Sequence, residues 1–234
     1  MKQMDHESKR RLLLSSPLFD ALPKEALDEI LAQATGKSVR RGQTVFQKDD
    51  VGSYLVAVLS GRIRISATSP EGREVTLNMI DAGEVFGEIA LLDGKPRSAD
   101  ATALENSNLI LVERRHFLPY LMSNNDLALR VIAVLCERLR DTSETVGNFA
   151  MLDLPSRLGR KLLNLAAEYG KSANGQVRLE IRLSHTDLGR FVGCSRETVN
   201  KQMRAWEEVG IVAREGGRIS ICKPAVLRRI AGQN

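Results

Sequence analysis

Glycines divide residues 37–115 of the chain into short segments that have the pattern of β-strands. The glycines stand at positions 52, 61, 72, 83, 87 and 94, roughly ten residues apart. Between them, the segments RIRISAT (62–68) and REVTLNMI (73–80) alternate apolar and polar residues, which is the period of a half-buried strand. Many short strands separated by regular turns predict a small all-β roll, sandwich or barrel.

From residue 124 the hydrophobic period becomes helical. Positions 128, 132, 135, 139, 142, 146 and 149 follow the alternating four–three spacing of a coiled-coil seam. No second helix of comparable length is expected in this chain, so the seam predicts a homodimer; a long helix lying on the β-domain is the alternative. Thr142, with Ser143 beside it, interrupts the apolar series. A buried hydroxyl needs a partner, which is either its own helix or something bound near the dimer axis.

The excess of basic over acidic residues lies wholly in the C-terminal part of the chain. Residues 1–150 contain 19 basic and 21 acidic side chains, whereas residues 151–234 contain 15 basic and 8 acidic ones. A basic module behind a nearly neutral one suggests a polyanion-binding domain attached to a sensing or catalytic domain. A solvated basic face is the alternative explanation of the charge alone.

The elements predicted in this basic module have the order of a winged helix-turn-helix. Asp153 and Pro155 begin a helix that runs to Tyr169. The segments that follow are a loop at 170–175, a strand at 177–182, a helix opened by Ser184 over HTDLGRFV, a turn at Gly193, a second helix capped by Ser195, and a hairpin at 212–221.

In a helix-turn-helix, the N-terminal residues of the second helix read base edges in the major groove. Arg196 and Lys201 can donate to guanine, and Glu197 can accept from cytosine. Hydroxyl and arginine side chains beside them can bind phosphates, which position the protein without specifying sequence. Ordinary solvent-facing charges, or a winged helix that binds protein, are the alternatives. The candidate DNA-binding residues are Ser195, Arg196, Glu197, Thr198, Asn200, Lys201 and Arg204.

The segment FGEIALLDGKPRSADATA (86–103) contains the groups of an anion site. Gly87 lets backbone amides approach an anion at the start of a short helix, where negative charge is favoured. Arg97 and Ser98, ten residues further on, supply a fork of cationic donors and a hydroxyl. The Glu88 carboxylate suits a sugar hydroxyl. The set predicts a nucleotide monophosphate site, and a Glu88–Arg97 salt bridge across the turn is the alternative.

The chain resembles, over about residues 15–225, the superfamily of the cyclic AMP receptor protein and the fumarate–nitrate reductase regulator of bacteria. FGEIALLDGKPRSA resembles the phosphate-binding cassette of cyclic-nucleotide-binding domains, and VGCSRETV resembles the recognition element of the cyclic AMP receptor branch. The pattern RLxxTSExVGN followed by LD, within 138–153, is also similar to that branch.

The resemblance implies an α+β chain with three parts. These are a cyclic-nucleotide-binding, jelly-roll-like β-roll at 1–123, a coiled-coil dimerisation helix at 124–150 and a winged helix-turn-helix DNA-binding domain at 151–234. Cyclic AMP is the implied allosteric effector, and cyclic GMP is possible. The implied partners are a second copy of the chain, double-stranded DNA with two-fold half-sites, and RNA polymerase.

The resemblance also implies a role for each matching residue. Gly87 and Glu88 take the ribose and the phosphate region, and Arg97 and Ser98 bind the cyclic phosphate. Thr142 bonds the purine of its own subunit, whereas Ser143 reaches the purine of the partner. Base reading by Arg196 and Glu197 implies half-sites similar to TGTGA. Lys201 stands where the family has its third base-reading arginine.

Several other classes do not fit the sequence. Cys136, Cys194 and Cys222 are far apart and absent from the N-terminal region, so a disulfide framework, a zinc ribbon and an iron–sulfur sensor are not expected. No histidine lies within 37–115 to ligate haem, and no nucleophile–base pair or phosphate loop indicates an enzyme. A ligand-independent member of the superfamily would be expected to lose Glu88, Arg97 or Thr142.

No apolar run approaches the ~18 residues of a membrane span. The three leucines near the N-terminus are too few for the core of a signal peptide. We therefore expect no membrane contact and a cytoplasmic protein. The scattered cysteines and histidines also lead us to expect no metal.

Overall fold

The computed structural model describes residues 7, 10, 13, 14, 16, 18–20 and 22–233. The chain divides into two compact units, of which the first ends at Asp141 and the second begins at Thr142. None of the helices in the described residues has an apolar stretch long enough to cross a bilayer.

The N-terminal unit contains two four-stranded antiparallel sheets that pack against each other. The first has the order β1 (Thr35–Val39), β8 (Ser107–Glu113), β3 (Tyr54–Ser60) and β6 (Val85–Phe86). The second has the order β2 (Thr44–Phe46), β7 (Asp100–Ala103), β4 (Ile63–Thr68) and β5 (Glu74–Ile80). Their shared core includes Val56, Phe86, Ile63 and Ile80, all at most 1% exposed. This β-roll confirms the prediction drawn from the glycine spacing.

Strand β3 is apolar along its length because both of its faces are covered. Val56 and Val58 face the other sheet, whereas Leu55, Ala57 and Leu59 belong to a second core. Three helices supply further side chains of that second core: α1 (Lys24–Gln33), α3 (Arg114–Ser123) and the first half of α4 (Asn125–Met151). Phe117 of α3 and Leu127 of α4 are essentially inaccessible there.

Helix α4 carries an exposed apolar stripe, but its residues are not all those of the predicted seam. Leu129, Ile132, Leu139 and Val146 are 54–67% exposed, and Cys136 and Ser143 are exposed between them. The predicted seam is wrong at Leu135, which packs on the β-roll core behind Leu127 and Val131. Because that face of the helix must cover its own domain, the free stripe is rotated around the helix toward 129 and 136.

The C-terminal unit is a winged helix-turn-helix, as predicted. Its elements are α5 (Leu154–Tyr169), β9 (Gly170–Ala173), β10 (Gln176–Leu179), α6 (His185–Val192), α7 (Arg196–Glu208), β11 (Val212–Glu215), β12 (Arg218–Ile221) and α8 (Pro224–Ile230). The sheet order is β11-β12-β10-β9. Asp153 caps α5 by accepting from the Ser156 amide at 2.9 Å, and Ser184 opens α6 in a capping box with Asp187.

Two features of this unit differ from the sequence-based expectation. The segment expected to be a loop begins with strand β9, which pairs with β10 across a turn at Asn174 and Gly175. Both turn residues have positive φ, 51° and 75°, and Asn-Gly is a strong signal for a two-residue hairpin. Helix α8, which the sequence analysis did not place, packs on α5 and accepts a hydrogen bond from Ser156 Oγ at Ile230 O, 2.9 Å away.

The last turns of α4, from Thr142 onward, belong to the C-terminal unit. Phe149, predicted as a seam residue, instead packs against the turn between α6 and α7. A Cβ added at Gly193 would lie 2.9 Å from Phe149 Cε1, and the Arg157 guanidinium lies 5.4 Å from the centre of the Phe149 ring. Arg160 also donates to Asn148 Oδ1 at 3.0 Å.

Candidate functional site

A pocket in the N-terminal unit lies beside α2 (Glu88–Asp93) and holds about 340 Å³ of space that is partly open to solvent. The pocket brings together four predicted site residues, Gly87, Glu88, Arg97 and Ser98. The other two, Thr142 and Ser143, are exposed residues of α4 in the C-terminal unit.

Arg97 is the largest fully buried side chain among the described residues, at 2% exposure. Its Nη1 donates to Gly87 O at 2.8 Å, and its Nη2 donates to Tyr54 O at 2.7 Å. The buried Nε has no hydrogen-bond partner among the described residues, and no carboxylate of that set forms an ion pair with the guanidinium. Burial lowers the pKa of Arg97 from its usual value. A buried cation with unused donors suits an anionic ligand.

Gly87 gives this guanidinium the room that it occupies. Its φ is +81°, in the left-handed region, and it is the N-cap of α2. A Cβ added at this position would stand 2.5 Å from Arg97 Nη1, closer than any real contact of that kind. The sequence predicted Gly87 as a site residue because a bare glycine lets an anion approach the backbone amides. The structure shows a second reason, the close approach of the Arg97 side chain.

Glu88 is 4% exposed and is bound by Arg138 of α4, not by Arg97. The alternative of a Glu88–Arg97 salt bridge is therefore wrong. Arg138 Nη1 donates to Glu88 Oε1, whereas Glu88 Oε2 is buried with no partner among the described residues. A carboxylate oxygen accepts only, so this orphan atom fits a hydroxyl donor such as that of a ribose.

Arg138 is a pocket residue that the analysis of single residues missed. It stands one helical turn before Thr142, at the first position of the RLxxTSExVGN pattern. That position was the only signal, because an arginine on an amphipathic helix is ordinarily a solvated residue.

The other predicted site lies on the first turns of α7. Ser195 is the N-cap and accepts from the Thr198 amide at 3.2 Å. The pKa of the Glu197 carboxyl is below its usual value because the carboxylate is stabilised by the backbone amide of Glu197 and by the Ser195 hydroxyl. Five of the predicted DNA-binding side chains beyond this cap are exposed: Arg196, Glu197, Thr198, Lys201 and Arg204. Within the described residues, none of the three cations among them forms an ion pair.

Asn200 differs from its neighbours because it is half-buried and lies beside His185 of α6. Nη1 of Arg214, on β11, lies 3.0 Å from Nε2 of the same histidine. A guanidinium only donates, so Nε2 accepts and the ring is neutral. Burial, and then Arg214, lower the pKa of His185. His185 therefore links the first helix, the recognition helix and the wing, a role that its sequence position did not indicate.

In the part of the chain that the structure describes, no group of three or more His, Cys, Asp and Glu side chains is placed to hold a metal ion. The three cysteines are free thiols.

Comparisons with known proteins match both halves of the chain. The cyclic nucleotide-binding domain matches residues 36–124, and the Crp-like helix-turn-helix domain matches residues 156–230. The cyclic AMP receptor protein of Thermus thermophilus is 32% identical over 92% of this chain and 97% of its own. The CRP-like cAMP-activated global transcriptional regulator of Mycobacterium tuberculosis is 28% identical over 94% and 98%. A solved structure of a CooA mutant from Carboxydothermus hydrogenoformans shares the fold, with a TM-score of 0.77 at 21% identity over 95% and 99% of the two chains.

Fold, pocket and comparisons together define a transcription regulator in which a cyclic nucleotide-binding domain is joined to a DNA-binding helix-turn-helix. Proteins of this class are not enzymes. The chain belongs to the superfamily of the cyclic AMP receptor protein and the fumarate–nitrate reductase regulator.

Replacement of Gly87 tests whether the Arg97 position matters for ligand binding. We expect Gly87→Ala to weaken cyclic-nucleotide binding at least about tenfold, because the new methyl group displaces a charged hydrogen-bond donor. Gly94→Ala is the matched control. Gly94 also has a left-handed φ, +72°, but a Cβ added there would lie 3.9 Å from the nearest atom, Nη2 of Arg114. Both variants should lose about 1–2 kcal/mol of stability. Equal nucleotide affinity in the two variants, measured by calorimetry, would contradict the expectation.

Proposed function

We propose that the protein is a homodimeric regulator that binds a 3′,5′-cyclic nucleotide, cyclic AMP in preference, and in response binds a pseudo-palindromic DNA site. One observation supports the effector most strongly. The same pocket contains a buried guanidinium with no carboxylate partner among the described residues and a buried carboxylate oxygen with no donor there. A cyclic nucleotide carries the complementary pair, a phosphate anion and a ribose hydroxyl.

Each pocket residue has a role in this proposal. Arg97 and Ser98 bind the cyclic phosphate, and Gly87 leaves space and backbone amides for the same region. Glu88 accepts from the ribose through the oxygen that Arg138 does not occupy. Arg138 fixes the carboxylate and connects the ligand to α4.

Thr142 and Ser143 are proposed to contact the purine, Thr142 in its own subunit and Ser143 across the dimer. Cyclic AMP is favoured because the relatives that span nearly the whole chain are named for cAMP. Cyclic GMP is the second candidate, since the Thr142 hydroxyl also suits the groups of guanine.

The exposed stripe of α4 supports the homodimer. Leu129, Ile132, Leu139 and Val146 are large apolar side chains more than half exposed on one helical face, and their spacings of three and seven residues are those that a parallel coiled coil buries. In this assignment residues 124–150 join a sensor, residues 1–123, to a DNA-binding domain, residues 151–234.

The DNA contacts are proposed on α7. Arg196 and Glu197 read base edges of TGTGA-like half-sites, and Lys201 contacts a further base as a point charge. Ser195, Thr198 and Arg204 bind phosphates, and Asn200 lies with the base-reading residues at the start of α7. Two modules related by a two-fold axis fit half-sites about one helical turn apart. The protein then acts where the bacterial chromosome is, in the cytoplasm, with RNA polymerase as a further partner.

Removal of the pocket cation tests the effector. Arg97→Leu should abolish cyclic AMP and cyclic GMP binding in calorimetry, because it deletes the only charge that the proposal assigns to the phosphate. Arg62→Leu, which deletes an arginine paired with Asp81 elsewhere in the same unit, should retain binding. Wild-type protein that binds neither nucleotide, or Arg97→Leu that binds as the wild type does, contradicts the proposed function.

A charge on the α4 stripe tests the dimer. The wild-type protein should sediment at twice the 25.9 kDa mass of one chain. Leu139→Glu should shift it to one chain mass, because a carboxylate cannot be buried unpaired in the seam. Arg140→Glu places the same carboxylate one residue away from the stripe and should leave the dimer intact. A Leu139→Glu protein that stays dimeric would place the interface elsewhere.

A further inference from the structure

Two aromatic rings enclose the Arg97 guanidinium. Its central carbon lies 4.2 Å from the centre of the Phe46 ring and 4.4 Å from the centre of the Tyr54 ring. Both distances are within the ~6 Å at which a guanidinium is attracted to the face of a ring. Phe46 comes from one sheet of the β-roll and Tyr54 from the other, so the cation is held between the sheets.

The rings are themselves held in place. Phe46 is 7% exposed, and its ring packs against the Phe86 ring at a centroid distance of 5.6 Å. Tyr54 is part of the β3–β8 ladder and packs on the same core. The Arg97 backbone is fixed as well, because its amide donates to Asp50 O at 2.8 Å and its carbonyl accepts from the Asp49 amide at 2.9 Å.

The two rings differ in their relation to the ligand pocket. Phe46 lines the pocket, whereas Tyr54 does not. Tyr54 nevertheless contacts Arg97 by its ring face and by its carbonyl oxygen. We therefore expect the Tyr54 ring to influence ligand binding through Arg97.

We propose that Phe46 and Tyr54 form an aromatic clamp that fixes the Arg97 guanidinium for the phosphate of the cyclic nucleotide, with Tyr54 as a positioning residue. A free arginine loses much rotamer freedom when it binds a phosphate. The clamp, with the two carbonyls, orders the side chain before the ligand arrives and leaves the Nε–H and two further N–H groups unused. The rings stabilise the buried charge without neutralising it, as a carboxylate would. This proposal rests on the proposed function.

The test separates the ring of Tyr54 from its backbone carbonyl. Tyr54→Leu keeps the carbonyl and most of the bulk but removes the ring face, and we expect about three- to twentyfold weaker cyclic AMP binding. Tyr54→Phe keeps the face and should bind as the wild type does, a rescue that a role of the hydroxyl would not give. Tyr120→Leu, in α3 and bonded to Glu29, is the control for loss of a tyrosine elsewhere in the same unit.

Each outcome decides the proposal. Wild-type affinity in Tyr54→Leu overturns the clamp while leaving the proposed function intact, whereas a wild-type protein that binds no cyclic nucleotide overturns both. Loss of binding in Tyr54→Phe equal to that in Tyr54→Leu assigns the effect to the hydroxyl and also overturns the clamp. If Tyr54→Leu lacks the thermal unfolding transition of the wild type, Tyr54→Met replaces it: weaker binding supports the clamp, and unchanged binding overturns it.

Discussion

The burial of Arg97 is the constraint on which the pocket depends. A permanent cation at 2% exposure is costly unless polar groups surround it. Here the cost is offset by two backbone carbonyls and two ring faces, with no acidic side chain among the described residues in ion-pair contact. This arrangement requires a glycine at position 87, because a side chain there would collide with the guanidinium. It also requires the backbone hydrogen bonds between Arg97 and residues 49–50. The Arg97 guanidinium is therefore held in place without being neutralised by a carboxylate.

The second charged group of the pocket, the Glu88 carboxylate, forms an ion pair with a residue of α4. Glu88 belongs to the cassette around α2, and its partner Arg138 belongs to α4. Further along the same helix, Phe149 packs on Gly193 at the turn of the helix-turn-helix, and Asn148 is bonded by Arg160. One helix thus carries a residue of the ligand pocket and residues anchored in the DNA-binding unit. Ligand and DNA can then influence each other if they favour the same state of that helix.

Period and turn chemistry made most of the fold predictable. The β-roll, the long helix and the winged helix-turn-helix each have a local pattern, such as the capping box at Ser184 or the buried stripe of α7. The orientation of α4 was not predictable, because both Leu135 and Leu139 fit a helical period and only tertiary packing shows that Leu135 covers the β-roll. Strand β9 was missed although Asn174-Gly175 marks a hairpin, because its sequence GKSA shows no apolar alternation.

The pocket was predictable where chemistry lies in one short segment, as with Gly87, Glu88, Arg97 and Ser98. Residues distant in sequence, Arg138, Phe46 and Tyr54, became visible only when the fold brought them to the same guanidinium or carboxylate. The proximity of Asn200 to His185 was hidden for the same reason, since His185 lies on another helix.

The most direct test of the central claim is the mutual dependence of the two ligands. DNA affinity is measured without and with saturating cyclic AMP, and cyclic AMP affinity is measured without and with the DNA site. We expect DNA to bind more tightly with nucleotide, by a factor in the range of about 5–150, and the nucleotide to gain the same factor from DNA. Equal DNA affinity in the two conditions would contradict coupling between the two sites.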